Sequence, residues 1–148
     1  MKKTFIYAIT FIVLGIVIGN YLEHNPKVKS IFKEKNIYYF VQEGVYSSKD
    51  IMNENIKEIK NKAIIHKNDK YYVYVGISKD LEIAKKIRNI YERIGYQTFI
   101  KEMSINNEEF SNNLEQFDLL IRSSNSNEDV LKIEEVILSN YEEIYEKN

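Results

Sequence analysis

Two short stretches set an amide and aromatic rings at alternate positions. Phe40 and Gln42 fall in Tyr38-Tyr39-Phe40-Val41-Gln42-Glu43-Gly44-Val45-Tyr46, and Tyr72 and Tyr74 fall in Tyr71-Tyr72-Val73-Tyr74-Val75-Gly76. Brought onto one surface, such groups suit a sugar polymer. Pyranose C–H groups pack on ring faces, while hydroxyls and acetamides take directional hydrogen bonds from Gln and Tyr. The other reading of the same residues is structural: cross-strand pairs that stabilise a sheet, or rings buried beneath further helices. Pattern alone leaves the two even.

Other chemistries find no residues. The chain has no Cys, which excludes disulfides, thiolate metal sites and cysteine nucleophiles. His24 and His66 lie in different segments with no carboxylate at ligand spacing, and His66 reads as a surface residue at a strand end. With five Gly, no nucleophile elbow or Gly-rich phosphate loop occurs. Glu108-Glu109 and Glu142-Glu143 read as solvated helix faces and caps. The expectation is a non-enzyme with no metal and no cofactor.

The aromatic stretches must be strands, because alternation of β-branched and aromatic residues suits a pleated, half-buried surface. A helical pattern with Ile51, Met52, Ile56 and Ile59 follows the first, opened by a capping box of Ser47 and Asp50. Ala63–Lys67 is a short second strand, and Asn68-Asp69 a hairpin turn into the Tyr71 strand. A second helix opens at Ser78, carries Leu81, Ala84, Ile87, Tyr91 and Ile94, and stops at Gly95. Tyr96–Lys101 supplies a fourth strand. The order βαββαβ predicts a ferredoxin-like α+β domain over residues 37–103, with both helices on one face and the other face free. If Val41 and Val73 face the helices, then Phe40, Gln42, Gly44, Tyr72 and Tyr74 face out.

Residues 104–148 read as two amphipathic helices. One carries Phe110, Leu114, Phe117 and Ile121, the other Val130, Ile133, Ile137, Tyr141 and Ile144, and a polar turn joins them. The net charge of −1 hides an asymmetry. Residues 1–102 hold 18 Lys/Arg against 11 Asp/Glu, and residues 103–148 hold 3 against 11. Acidic helices facing a basic domain are expected to dock on it, either as a permanent extension or as a removable cover over Tyr72 and Tyr74.

At the other end, Lys2 and Lys3 precede an uncharged run, Phe5 to Leu22, which spans about 27 Å as a helix. This predicts an uncleaved transmembrane anchor over 1–22, with the N-terminus cytoplasmic and the C-terminal domain extracytoplasmic. Residues 23–36, which hold the one Pro, read as a short linker.

Residues of about 37–103 resemble a SPOR domain, the sporulation-related repeat of bacterial cell-envelope proteins. Tyr38-Tyr39-Phe40-Val41-Gln42-x-Gly44-x-Tyr46 opens the first half, Tyr71 to Gly76 opens the second, and Gln42, Gly44 and Tyr46 match the family's Gln-x-Gly-x-aromatic pattern. The helix from Leu81 with Ala84, ending in Gly95-Tyr96, also fits. Where the family shows Gly-Pro-aromatic, this chain has Gly76-Ile77-Ser78. The resemblance implies a membrane-anchored binder of peptidoglycan glycan strands stripped of stem peptides, acting in cell division or sporulation. It places Gln42 and Tyr72 among the glycan contacts and adds Ile100 in the fourth strand; the alternation adds Phe40 and Tyr74.

Two other classes compete. A protein-interaction scaffold would act through a partner on the C-terminal helices. An RRM-like nucleic-acid binder shares the βαββαβ plan, but the Tyr71 strand has no RNP1-like basic run, so no nucleic-acid partner is expected.

Overall fold

The computed structural model describes residues 37–147. The expected membrane span and linker lie outside them, and among the described residues no helix is long and apolar enough to cross a membrane. The described residues form an α+β fold, with a four-stranded antiparallel sheet and four helices.

The order is β1 (Tyr38–Tyr46), α1 (Lys49–Asn55), β2 (Ala63–Lys67), β3 (Lys70–Ser78), α2 (Leu81–Arg93), β4 (Phe99–Met103), α3 (Glu108–Ser123) and α4 (Asn127–Glu146). The strands lie in the order β2-β3-β1-β4, every neighbouring pair antiparallel. Asn68 and Asp69 both take positive φ, 52° and 56°, as a tight two-residue hairpin between β2 and β3 requires.

Local chemistry moves several boundaries from their expected places. Ser48, not Ser47, caps α1, its side chain accepting from the Ile51 N–H. Asp80, not Ser78, caps α2 and accepts from the Glu82 and Ile83 N–H groups. Ser78 remains in β3, where its hydroxyl donates to Asp80 O and accepts from the Asp80 N–H. The fourth strand starts at Phe99 rather than Tyr96, because the Tyr96 N–H donates back to Tyr91 O and closes the end of α2. Gly95, at φ 98°, makes that closure possible.

One sheet face packs on α1 and α2. Val41 and Val73 are fully buried there, beneath Met52, Ile56, Ile83 and Ile87. At Gly76 a Cβ would stand 2.6 Å from Ile87 Cγ2, so only glycine allows α2 this close to β3.

The opposite face is not free. Tyr38, Phe40, Tyr74 and Ile77 lie there, roofed by α3 and α4. Tyr141 of α4 sits edge-on to Phe40 at 5.1 Å and to Tyr74 at 6.3 Å, and Phe110 of α3 lies 6.4 Å from Tyr38. The helices expected as an extension from residue 104 thus share the hydrophobic core of the sheet.

Candidate functional site

Directly paired residues of antiparallel strands share a face, so the register sorts the candidate residues. Gln42 pairs with Tyr74 on one side and Phe99 on the other, and Val45 pairs with Tyr72, which also pairs with Ile65. Phe40, Gln42, Tyr72 and Tyr74 therefore share the roofed face, as alternation predicts. Gly44 and Ile100 do not. The extra residue Glu43 forms a bulge, so Gly44 pairs with Val73 and turns to the α1/α2 face. Ile100 pairs with Val41 and lies on that same face, packed against the core.

Within the shared face the roof decides what a ligand can reach. Phe40 is 0% exposed and Tyr74 4%, and the Tyr74 hydroxyl points to Met103 Sδ at 3.6 Å. Burial pushes that phenol up to about 12, with the neighbouring Tyr72 and Tyr145 adding to it. Both rings are core. Gln42 is 9% exposed and Tyr72 half-buried. Beside them, Phe99 is 57% exposed and Val45 42%. The accessible part of the face is thus a strip at one end of the sheet: Phe99 beside the buried Gln42 in one row, Val45 and Tyr72 in the next.

The strip is bordered by cations. Lys67 pairs with Lys70 beyond Tyr72, and Lys101 follows Phe99 by two positions; all three are exposed and on this face. No strand residue on this face is acidic: Glu43 sits at the bulge, and Glu102 pairs with Tyr39 on the opposite face.

Phe99 is the contact that sequence reasoning misses. The SPOR resemblance names Ile100 in this strand, whereas the register pairs Phe99, Lys101 and Met103 with Gln42, Phe40 and Tyr38. His66 behaves as expected, exposed near the end of β2 and stacked on Tyr71 at 4.5 Å. Among the described residues no group of three or more His, Cys, Asp or Glu could hold a metal ion.

No protein-family model, curated protein or solved structure matches the chain.

The roof is fixed chiefly by packing. Phe110, Leu114, Ile121, Val130, Ile137, Leu138 and Tyr141 are all buried. At about 1.5–3 kcal/mol for each large apolar side chain, their transfer from water amounts to roughly 10–20 kcal/mol. A micromolar ligand supplies about 8 kcal/mol. Even if half of the apolar contact lies between α3 and α4 themselves, little binding energy would remain after lifting the roof. The charge asymmetry enters locally through the Lys79–Glu115 ion pair, whereas Asp80–Arg122 joins the two parts with the opposite polarity. The permanent extension is the reading that these magnitudes favour.

Proposed function

We propose that this chain is a membrane-anchored, non-catalytic protein that binds peptidoglycan glycan strands in the manner the SPOR resemblance implies, in cell division or sporulation. The contact surface is Gln42, Tyr72 and Phe99, with Val45 beside them and Phe40 and Tyr74 as their buried support. The observation that carries this reading is the register that sets Gln42 between Tyr74 and the exposed ring of Phe99, at the edge of the part of the face that α3 and α4 cover. An aromatic ring with an adjacent amide gives a sugar both a platform and a directional partner. The strand order β2-β3-β1-β4 and the βαββαβ element order support a ferredoxin-like plan for residues 38–103. Fold alone assigns no function, so the reading rests on the side chains of the strip. The span Phe5–Leu22 would anchor the domain on the extracytoplasmic side, and the linker, roughly 50 Å at most, would keep it near the membrane.

The scaffold alternative loses support because the apolar faces of α3 and α4 already pack on the sheet. The lysines at the border favour an anionic polymer, so single-stranded nucleic acid is the appropriate control.

The test is co-sedimentation of the detergent-solubilised full chain with purified sacculi, before and after amidase removal of stem peptides. Amidase treatment should increase retention. Tyr72→Ala with Phe99→Ala should reduce it at least tenfold while thermal unfolding stays within a few degrees. Retention unchanged in that variant, or competed away by single-stranded oligonucleotide and not by glycan fragments, would overturn the assignment.

A further inference from the structure

Two carboxyl groups lie in the interior where the roof meets the sheet. β2 pairs with β3 only as far as Tyr74, so the outer edge of β3 beyond it has no strand partner. Helix carboxylates take that place. The Ile77 N–H donates to Glu134 Oε2 of α4 at 3.0 Å, and the Lys79 N–H donates to Asp118 Oδ2 of α3 at 2.8 Å. Both side chains are 0% exposed. Their second oxygens, Asp118 Oδ1 and Glu134 Oε1, have no hydrogen-bond partner.

We propose that Asp118 and Glu134 form a proton-binding site, and that the bound proton holds α3 and α4 against the edge of β3. A buried carboxylate oxygen with no partner is far more costly than the neutral acid in the same place. The surroundings do not supply a counter-charge sufficient to change this. Lys79 faces Asp118, but its ammonium is engaged by Ser111 Oγ and by Glu115. Asp80 opposes a charge on Asp118 and is itself paired with Arg122. The Ser78 hydroxyl lies close to Asp118 but donates to Asp80 O. Glu134 has only the Ile77 N–H in its favour, with Asp118 and the α2 phenol Tyr91 as its titratable neighbours. Lys86, also on α2, gives its ammonium to the carbonyls of Ile121 and Ser124. A metal ion does not suit the site, because two of its groups are N–H donors that would face the cation.

Burial pushes Asp118 up to about 7, with the Ser78 and Lys79 contacts opposing the shift. Burial, and then the charge of Asp118, hold Glu134 well above the usual carboxylate range. Both groups favour the protonated form when folded. Their contribution to stability is complete below the unfolded carboxylate pKa of about 4 and is lost as pH rises through the folded values. The roof is therefore held most firmly in mild acid.

Urea unfolding of the full chain in neutral detergent, from pH 4.5 to 8.5, tests this. The folded-to-unfolded ratio should fall with rising pH, by up to tenfold per pH unit for each proton lost. Asp118→Asn with Glu134→Gln should flatten that slope. A wild-type ratio that is constant or rises with pH, or an unchanged slope in the double variant, would overturn the proposal. Should the variant not fold, carbon NMR of the two carboxyls in the wild-type chain decides: titration of both near pH 4 overturns it, and titration of either near or above 7 supports it. None of these readouts depends on the proposed glycan.

Discussion

The two faces of the sheet are built from the same alternating strands and end up different. Toward α1 and α2, Val41, Val73 and Gly76 meet α2 closely enough that one added carbon at Gly76 would collide with Ile87. Toward α3 and α4, the end holding Tyr38, Phe40 and Ile77 is closed, and the end holding Phe99 and Val45 is open. The pleat makes both faces equally able to bury apolar groups. What decides is where a second element delivers its apolar stripe, and Tyr141 delivers it over Phe40 and Tyr74.

Substitutions at the closed and open ends should separate most at Tyr141. Tyr141→Ala removes the ring shared by Phe40, Tyr74 and Phe110, and should cost about 3–5 kcal/mol in denaturant unfolding. A cost near 1 kcal/mol would mean that the roof is loosely held and the contrast between the two ends is weak. On the α1/α2 face, Gly76→Ala places Cβ against Ile87 and should cost about 1–3 kcal/mol by overpacking. Pairing it with Ile87→Val, which shortens the opposing side chain, should recover part of that loss; additive costs would show that α2 shifts as a body instead. The smallest effect belongs to the open end. Phe99→Ser should change stability by less than about 0.5 kcal/mol, as is usual for an exposed position. A loss above 2 kcal/mol would place Phe99 in the core and remove it from the ligand surface.

Much of the secondary structure is legible in the sequence for a physical reason. Tyr71 to Gly76 is a run of aromatic and β-branched residues that favours a strand over a helix, and the rows Phe110/Leu114 and Val130/Ile137 repeat at helical spacing. The faces are less legible. A bulge is a single extra residue with no strong signature, and Glu43 and Val75, skipped in the β1–β3 pairing, are ordinary strand residues. The first turns Gly44 to the other face. The interior acids leave a fainter trace that can be read afterwards. Glu134 stands four residues after Val130 and three before Ile137, and Asp118 four after Leu114, so each acid occupies a slot on its helix's apolar row. The row Val130/Ile133/Ile137 skips the slot that is actually buried, since Ile133 is only partly covered and Glu134 fully. Of the candidate contacts, Tyr72 is half-buried and Gln42 is buried beside the exposed Phe99; Phe40 and Tyr74 are enclosed, and Ile100 lies on the other face because it pairs with Val41. How far a roof extends over a sheet is set by packing between elements far apart in sequence.

Sequence distance also orders events during synthesis. The β2–β3 hairpin closes through two residues and needs no chain beyond Ser78. The partners that finish the edges arrive much later: Glu134 reaches back 57 residues to Ile77, and Glu142 reaches back 78 residues to the Ile64 N–H, 2.6 Å away. At translation rates of about 5–20 residues per second, β3 waits several seconds for these carboxylates to be made. Through that interval Phe40, Tyr74 and the unpaired edge of β3 have no α4 to cover them. Among the described helices, the last in chain order is also the one that covers Phe40 and Tyr74.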